Sequence, residues 1–307
     1  MLSVATLEYA GEEMIMKGTA KTKALSALFA VTMLSATSIS YMQTVKADDG
    51  LKDDGLPSGI SKVMVKPTTN DGPLDEIFSG WHFRSKETKN LQKDDFENPG
   101  YLWVEQGEEL WATKDGSKGK SCKSCHDDAT KAMKGVGANM PKWDAKLKRP
   151  LTLEQRINTC RTQGLGAKEW KWESSQMLSM TAFIRNLSRG MPMNVQADGP
   201  MKPWVEKGKN IYYTRVGQLN MSCSNCHEDN YGKYIRADHL SQGQSNGFPT
   251  YRLKWQKLGS LHRRFKGCMK NIRATPYKPG SDEFVALEIY LSQRGKGLEI
   301  ETPAVRN

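Results

Sequence analysis

Beyond residue 40 this sequence has no apolar run approaching the ~20 residues that a bilayer-spanning helix requires, and its mean hydropathy is −0.64. Strand-like alternation of apolar and polar residues is also scarce, which argues against an all-β sandwich or barrel and for an α class. Acidic residues are in deficit, with 34 Asp and Glu against 45 Lys and Arg. That balance points to an anionic partner: an oxyanion, an acidic protein or nucleic acid. No RNA- or DNA-reading motif accompanies it, so nucleic acid is set aside. Histidine is rare, with five in 307 residues, and there are six cysteines.

The one apolar run lies at the start. Lys17, Lys21 and Lys23 precede Ala24 to Ile39, and Val45-Lys46-Ala47 resembles a small-x-small cleavage site. Residues 1–47 therefore read as a secretory signal peptide, and an uncleaved anchor is the weaker alternative because the run is barely long enough to span. The acidic residues before Lys17 are unusual for a signal, and a start at Met14 or Met16 would remove them. An exported, oxidised chain normally pairs its cysteines. The spacing of Cys122, Cys125, Cys160, Cys223, Cys226 and Cys268 argues otherwise.

Residues 48–100 are polar and read as an extended N-terminal segment, with at most one short helix around Leu74–Phe78. After them a unit occurs twice. Trp103-Val-Glu-Gln-Gly107 recurs as Trp204-Val-Glu-Lys-Gly208, and Cys122-Lys-Ser-Cys125-His126 recurs at the same separation as Cys223-Ser-Asn-Cys226-His227. Leu153-x-x-Arg156-x-x-x-Cys160 recurs as Leu261-x-x-Arg264-x-x-x-Cys268. Each copy ends in a helical pattern, Ser174 to Arg189 and Ser281 to Arg294, with a Ser cap, apolar residues at turn spacing and a terminal Gly. Thr152-Leu-Glu-Gln155 forms a capping box that opens the helix bearing Cys160. The expected fold is mainly α: a tandem of two class I-like cytochrome c domains, 101–198 and 199–307, behind the extension. The boundary falls at Asp198-Gly199-Pro200.

Cys-x-x-Cys-His is the attachment signature of a c-type haem. The two sulfurs form thioethers with the haem vinyl groups and the histidine ligates iron, because one helical turn lines both cysteines along the haem edge. A zinc site would need a second ligand pair nearby, and a histidine abutting the knuckle is not the usual spacing. Two matches inside a repeat predict two covalently bound haems, with His126 and His227 as proximal ligands.

The sixth ligand in small cytochromes c is often a methionine placed between the haem motif and the last helix. Here that place holds Cys160 and Cys268. Met191-Pro192-Met193 follows the last helix, on the wrong side. Met133 and Met140 remain conceivable for the first haem, His239 and His262 for the second, and His82 for either. A cysteine at the same place twice implies a common role, and it favours the two thiolates, leaving the histidines as surface or structural groups. Thiolate ligation stabilises ferric iron and lowers the potential, which leaves a low-potential carrier or an enzyme whose thiolate reacts.

The copies differ in charge. Around Cys268 stand Arg263, Arg264, Lys266, Lys270 and Arg273, whereas the surround of Cys160 is less basic. Helical spacing places Arg264 on the side of Cys268. The first haem is then structural or a relay, and the second faces an anionic substrate. Pairing of these cations with haem propionates is the competing account for all but Arg264.

These residues resemble the SoxA family, the dihaem cytochrome c subunits of the bacterial sulfur-oxidising Sox system, known as L-cysteine S-thiosulfotransferases. The resemblance spans the mature chain and rests on both CxxCH motifs, Cys160 and Arg263-Arg264-Phe265-Lys266-Gly267-Cys268-Met269. It implies His/Cys ligation of both haems, by His126 with Cys160 and by His227 with Cys268. It implies that Cys268 is the active-site cysteine carrying a persulfide sulfur, that Arg264 holds thiosulfate, and that Arg294 is a second active-site arginine. It further implies a periplasmic location, a small monohaem partner (SoxX) that accepts electrons, and a carrier protein (SoxYZ) whose cysteine receives thiosulfate. A non-catalytic low-potential dihaem carrier and a tetrathionate-forming thiosulfate dehydrogenase are the competing functions.

Overall fold

Gly107 and Gly208 each mark a close helix crossing. The computed structural model describes residues 55–68 and 72–307, so the expected leader over 1–47 lies outside the described residues. Among the described residues no helix is long and apolar enough to cross a membrane.

The segment ahead of the repeats pairs β1 (Met64–Val65) with β2 (Ile77–Phe78) and then forms α1 (Lys86–Lys93). The helix expected around Leu74–Phe78 is therefore corrected. Ile77 and Phe78 are buried in a strand pairing, and Gly80 follows too soon for a helical turn to develop. The helix forms where Ser85 can cap it by accepting from Thr88 N.

The first repeat runs α2 (Tyr101–Ala112), α3 (Lys123–His126), α4 (Ala129–Ala132), the hairpin β3 (Lys142–Asp144) with β4 (Arg149–Leu151), α5 (Leu153–Thr159) and α6 (Ser175–Asn186). The second runs α7 (Lys202–Tyr213), α8 (Cys223–His227), the hairpin β5 (Tyr234–Ile235) with β6 (Asp238–His239), β7 (Thr250–Arg252) with β8 (Lys257–Gly259), α9 (Leu261–Asn271) and α10 (Asp282–Arg294). The closing strand β9 (Ala304–Arg306) adds parallel to β7, giving the order β8-β7-β9.

In each repeat the first and last helices cross closely. A side chain on Gly107 would overlap the Ser179 carbonyl oxygen, and one on Gly208 would overlap that of Ala286. The recurring Trp-Val-Glu-x-Gly pattern is thus explained by backbone approach. Met177, Met180, Phe183 and Ile184 of α6 pack with Val104 and Trp111 of α2. Phe284, Leu287, Tyr290 and Leu291 of α10 pack with Tyr212 of α7 and with Leu261 and Phe265 of α9. Burial of each such side chain contributes about 1.5–3 kcal/mol, against about 1 kcal/mol for a cap. Packing therefore fixes the helices, and the caps set their ends. Those caps occur as expected: Ser174 accepts from Met177 N, Ser281 from Phe284 N, and Thr152 and Gln155 form a reciprocal box.

The polar lead-in is tied to the end of the chain. Ser61 N donates to Glu299 Oε2 at 2.7 Å, Ser79 Oγ donates to Glu301, and Gln92 Oε1 accepts from Val305 N at 3.0 Å. These hydrogen bonds act alongside the burial of Ile60, Val63, Ile77, Phe78, Trp81 and Phe83 of the lead-in.

Candidate functional site

The second Cys-x-x-Cys-His lies on α8, opened by a box in which Ser222 and Asn225 cap each other's backbone. His227 ends the helix. Its Nδ1 sits 2.7 Å from the Ser241 carbonyl oxygen, so Nδ1 carries the proton and donates, leaving Nε2 as the nitrogen free to ligate. Gly243 passes directly over the ring, where a Cβ would lie 2.8 Å from His227 Cγ. The loop after the motif thus clamps the imidazole from its edge and its face.

Opposite stands α9. Ser260 caps it, accepting from Arg263 N at 3.1 Å. Arg264 and Cys268, four apart, act together as helical spacing predicts. Burial pushes the Cys268 thiol up, but the Arg264 charge, a hydrogen bond with His227 and the Arg252 charge outweigh it and hold it at about 7. The sulfur is therefore shifted toward its thiolate form and hydrogen-bonded with the imidazole.

Most of the local basic residues point elsewhere. Arg263 stacks over Trp255 at 4.0 Å and approaches Glu173 at 3.8 Å. Lys266 and Lys270 are exposed, and Arg273 Nη1 donates to Gln218 Oε1 at 3.5 Å. The second cation acting on the sulfur is Arg252 of β7, which sequence reading missed. The signal was available: β3–β4 and β7–β8 occupy equal places in the two repeats. Arg84, from the lead-in, joins the same cluster; burial first, then Arg306, Arg252 and Arg264, lower it to about 9.

Arg294, the last residue of α10, is anchored at the end of α8. Its Nη2 forms a 2.9 Å ion pair with Glu228, its Nη1 donates to Gln242 O at 3.2 Å, and its guanidinium lies over Tyr212 at 4.5 Å. The Arg294–Glu228 pair is almost fully buried, and the Arg294 charge acts on Cys223.

In the first repeat α3 bears Cys122, Cys125 and His126, and Trp111 packs against His126 at 5.8 Å and donates Nε1–H to Asp127 O at 3.2 Å. Cys160 sits just past α5, as a π-helical turn (Cys160–Leu165) begins. It is exposed and close enough to Cys122 and Cys125 to couple to both electrostatically. Burial raises its thiol, with Arg156 opposing. Arg156 itself is bound to Asp144 at 2.6 Å.

The alternative ligands are occupied structurally. His262 is 1 % exposed in its side chain, accepts at Nδ1 from Gly280 N at 3.0 Å and stacks on Trp172. His239 has a carbonyl oxygen against each ring nitrogen. Burial first, then Lys89 and His239, lower His82 to about 4, and it stacks on Phe78. Met140 and Met193 are core residues. The donor set fits a haem c at the second motif: an oriented imidazole, a facing thiolate and two unpaired cysteines one turn apart. At the first, a cysteine likewise lies beside the attachment pair.

The family model described as SoxA/TsdA, cytochrome c domain, matches residues 106–193 and 207–300. A relative from Pseudaminobacter salicylatoxidans, named L-cysteine S-thiosulfotransferase subunit SoxA, is 53 % identical over 261 residues, covering 84 % of this chain and 90 % of the relative. One of the same name from Paracoccus pantotrophus is 46 % identical, covering 85 % and 90 %. The crystal structure of SoxXA from P. pantotrophus superposes with a TM-score of 0.76 at 46 % identity, over 80 % of this chain and 93 % of that one.

Proposed function

Since this chain belongs to the SoxA family of cytochromes c, we propose that its second Cys-x-x-Cys-His centre, with Cys268, is where it joins thiosulfate to a cysteine. The chain is an L-cysteine S-thiosulfotransferase and carries covalently bound haem c. We assign two haems, in two tandem class I-like cytochrome c domains over 101–198 and 199–307. One would be attached through Cys122 and Cys125 and held by His126 and Cys160, and the other attached through Cys223 and Cys226 and held by His227 and Cys268.

A thiol and thiosulfate combine to a thiosulfonate, R–S–S–SO₃⁻, with release of one proton and two electrons. Haem, when bound, supplies the one-electron acceptor beside the sulfur, with a potential lowered by its thiolate ligand. The chain's own residues supply the rest. Cys268, held as a thiolate by Arg264, is the sulfur that carries and passes on the thiosulfate-derived sulfur, through the exchange chemistry of thiolates. Arg264 neutralises the substrate anion. Ser241 and Gly243 keep His227 oriented. Arg294 acts beneath the attachment cysteine Cys223, fixing the end of α8 through Glu228. The acceptor of the electrons is a small monohaem cytochrome, SoxX, with which the chain forms a heterodimer. The thiol belongs to a SoxYZ-like carrier, and the reaction is periplasmic.

The observation that carries this reading is the Cys268 sulfur, hydrogen-bonded with His227 of the attachment motif and one helical turn from Arg264 on α9. The test is a pair of haem-loaded variants, Cys268→Ser and Cys160→Ser, given thiosulfate and a thiol-bearing carrier, with the product read by mass spectrometry. Loss of conjugation in the first alone is expected. Conjugation by Cys268→Ser would overturn the assignment, and tetrathionate formed without any carrier thiol would move the chain to the dehydrogenase reading.

A further inference from the structure

The two hairpins that precede the ligand-bearing helices are the same piece of structure. Asp144 pairs with Arg149 across β3–β4 as Arg252 pairs with Lys257 across β7–β8. The turn residues Lys148 and Gln256 both have φ of 50°. A capping Thr152 or Ser260 follows, then Arg156 or Arg264, then Cys160 or Cys268, in equal steps. Strand position Asp144 therefore corresponds to Arg252.

In the first repeat that position neutralises the arginine one turn before the cysteine, since Asp144 Oδ2 lies 2.6 Å from Arg156 Nη2. In the second the sign is reversed. Arg252, on the strand beside the helix, is close enough to Arg264 and Cys268 for its charge to act on both. It is buried and held in place by Asp238 at 3.2 Å, by the Asn307 oxygen at 2.5 Å and by the Trp255 ring at 5.0 Å. Two guanidiniums that repel one another are stable together when an anion sits between them.

We propose that Arg252 is a substrate-binding residue, forming with Arg264 the seat for the dianionic thiosulfate, and that the Asp144-to-Arg252 exchange is what makes only the second centre bind it. The inference rests on the functional reading above. Arg252 binds the terminal oxygens while Arg264 stays beside Cys268, so the sulfane sulfur is directed at the cysteine. Asp238 competes with the substrate for Arg252.

The test uses the haem-loaded protein with its partner cytochrome. Thiosulfate affinity is measured by equilibrium dialysis of labelled thiosulfate without carrier, alongside KM and kcat with it. Arg252→Gln is expected to weaken Kd and raise KM about tenfold or more, as loss of a charge-assisted contact predicts, with haem spectra unchanged and Arg252→Lys partly restoring affinity. Asp238→Asn, which does not depend on a buried arginine being dispensable for folding, is expected to tighten thiosulfate binding severalfold. Affinities within about twofold of the parent in Arg252→Gln, or in Asp238→Asn should the former not fold, would overturn the proposal. A parent protein that neither binds nor conjugates thiosulfate would instead overturn the functional reading.

Discussion

Glu154 and Glu288, one from each repeat, line a single cavity of about 20 Å³ together with Arg185, Thr181, Ser245 and Ser292. That space is large enough for one water, and the seam between the halves carries a cluster of charged and hydroxyl groups at this place. Burial, and then the Glu288 charge, push the Glu154 carboxyl up to about 7, with His262 opposing. Arg185, buried beside them, feels both carboxylates. A carboxyl raised in the folded state favours folding below its unfolded value of about 4.5 and loses that contribution as pH climbs through about 7. Urea unfolding at about pH 5 and pH 8 should therefore show the parent losing about 1–3 kcal/mol relative to Glu154→Gln over that interval. Parallel pH dependences for the two proteins would contradict the shift.

Ser260 does more than cap α9. Besides accepting from Arg263 N, its hydroxyl accepts from Trp172 Nε1 at 3.1 Å and donates to Glu173, so residues of the first repeat hold the start of the helix that carries Arg264 and Cys268. Ser281, by contrast, caps α10 by accepting from Phe284 N. Ser260→Ala is expected to cost about 2 kcal/mol and Ser281→Ala about 1 kcal/mol. Denaturant midpoints of the two variants provide the comparison, and equal losses would show that the Trp172–Glu173 contacts add nothing.

Gly208→Ala drives a methyl group into the Ala286 carbonyl, and Gly107→Ala does the same at Ser179. Backbone cannot yield as a flexible side chain does. Each substitution should cost about 3 kcal/mol, the upper end for overpacking. Thermal unfolding of the holoprotein is the measurement, and a loss below ~1 kcal/mol would mean that the helices can separate freely.

Gly243→Ala places a Cβ against the His227 ring at a position with φ of 75°. The expected result is a changed low-spin signal from one haem and an unchanged one from the other, read by electron paramagnetic resonance of the oxidised protein. Two unaltered signals would show that the loop does not fix the ligand.

The haem motifs, the duplicated unit, the paired cysteines and the helix caps were all legible in the sequence, because each is a local pattern whose chemistry depends on spacing along the chain. Arg264 beside Cys268 is of that kind: four residues on a helix settle it. The cationic surround was not legible in the same way. Lys266, Lys270 and Arg273 crowd the sequence near Cys268 but extend away from it, since a helix shows only one face to a neighbour. The lead-in was misread around Ile77 and Phe78 for a related reason. A two-residue strand is formed by its partner, Met64–Val65, and leaves no period of its own.

What the sequence determined by itself was the type of centre, a covalently bound haem c, and the identity of the residues one helical turn from Cys160 and Cys268. What only the tertiary structure decided was which distant groups reach them. Arg252 is brought within reach of Cys268 by strand packing, Arg84 is brought to Arg252 and Arg264 by the lead-in, Asp144 is brought to Arg156, and Arg294 forms a buried pair with Glu228. Charge acts through space and not along the chain, so the difference between the two centres became readable only once the hairpins were folded beside them.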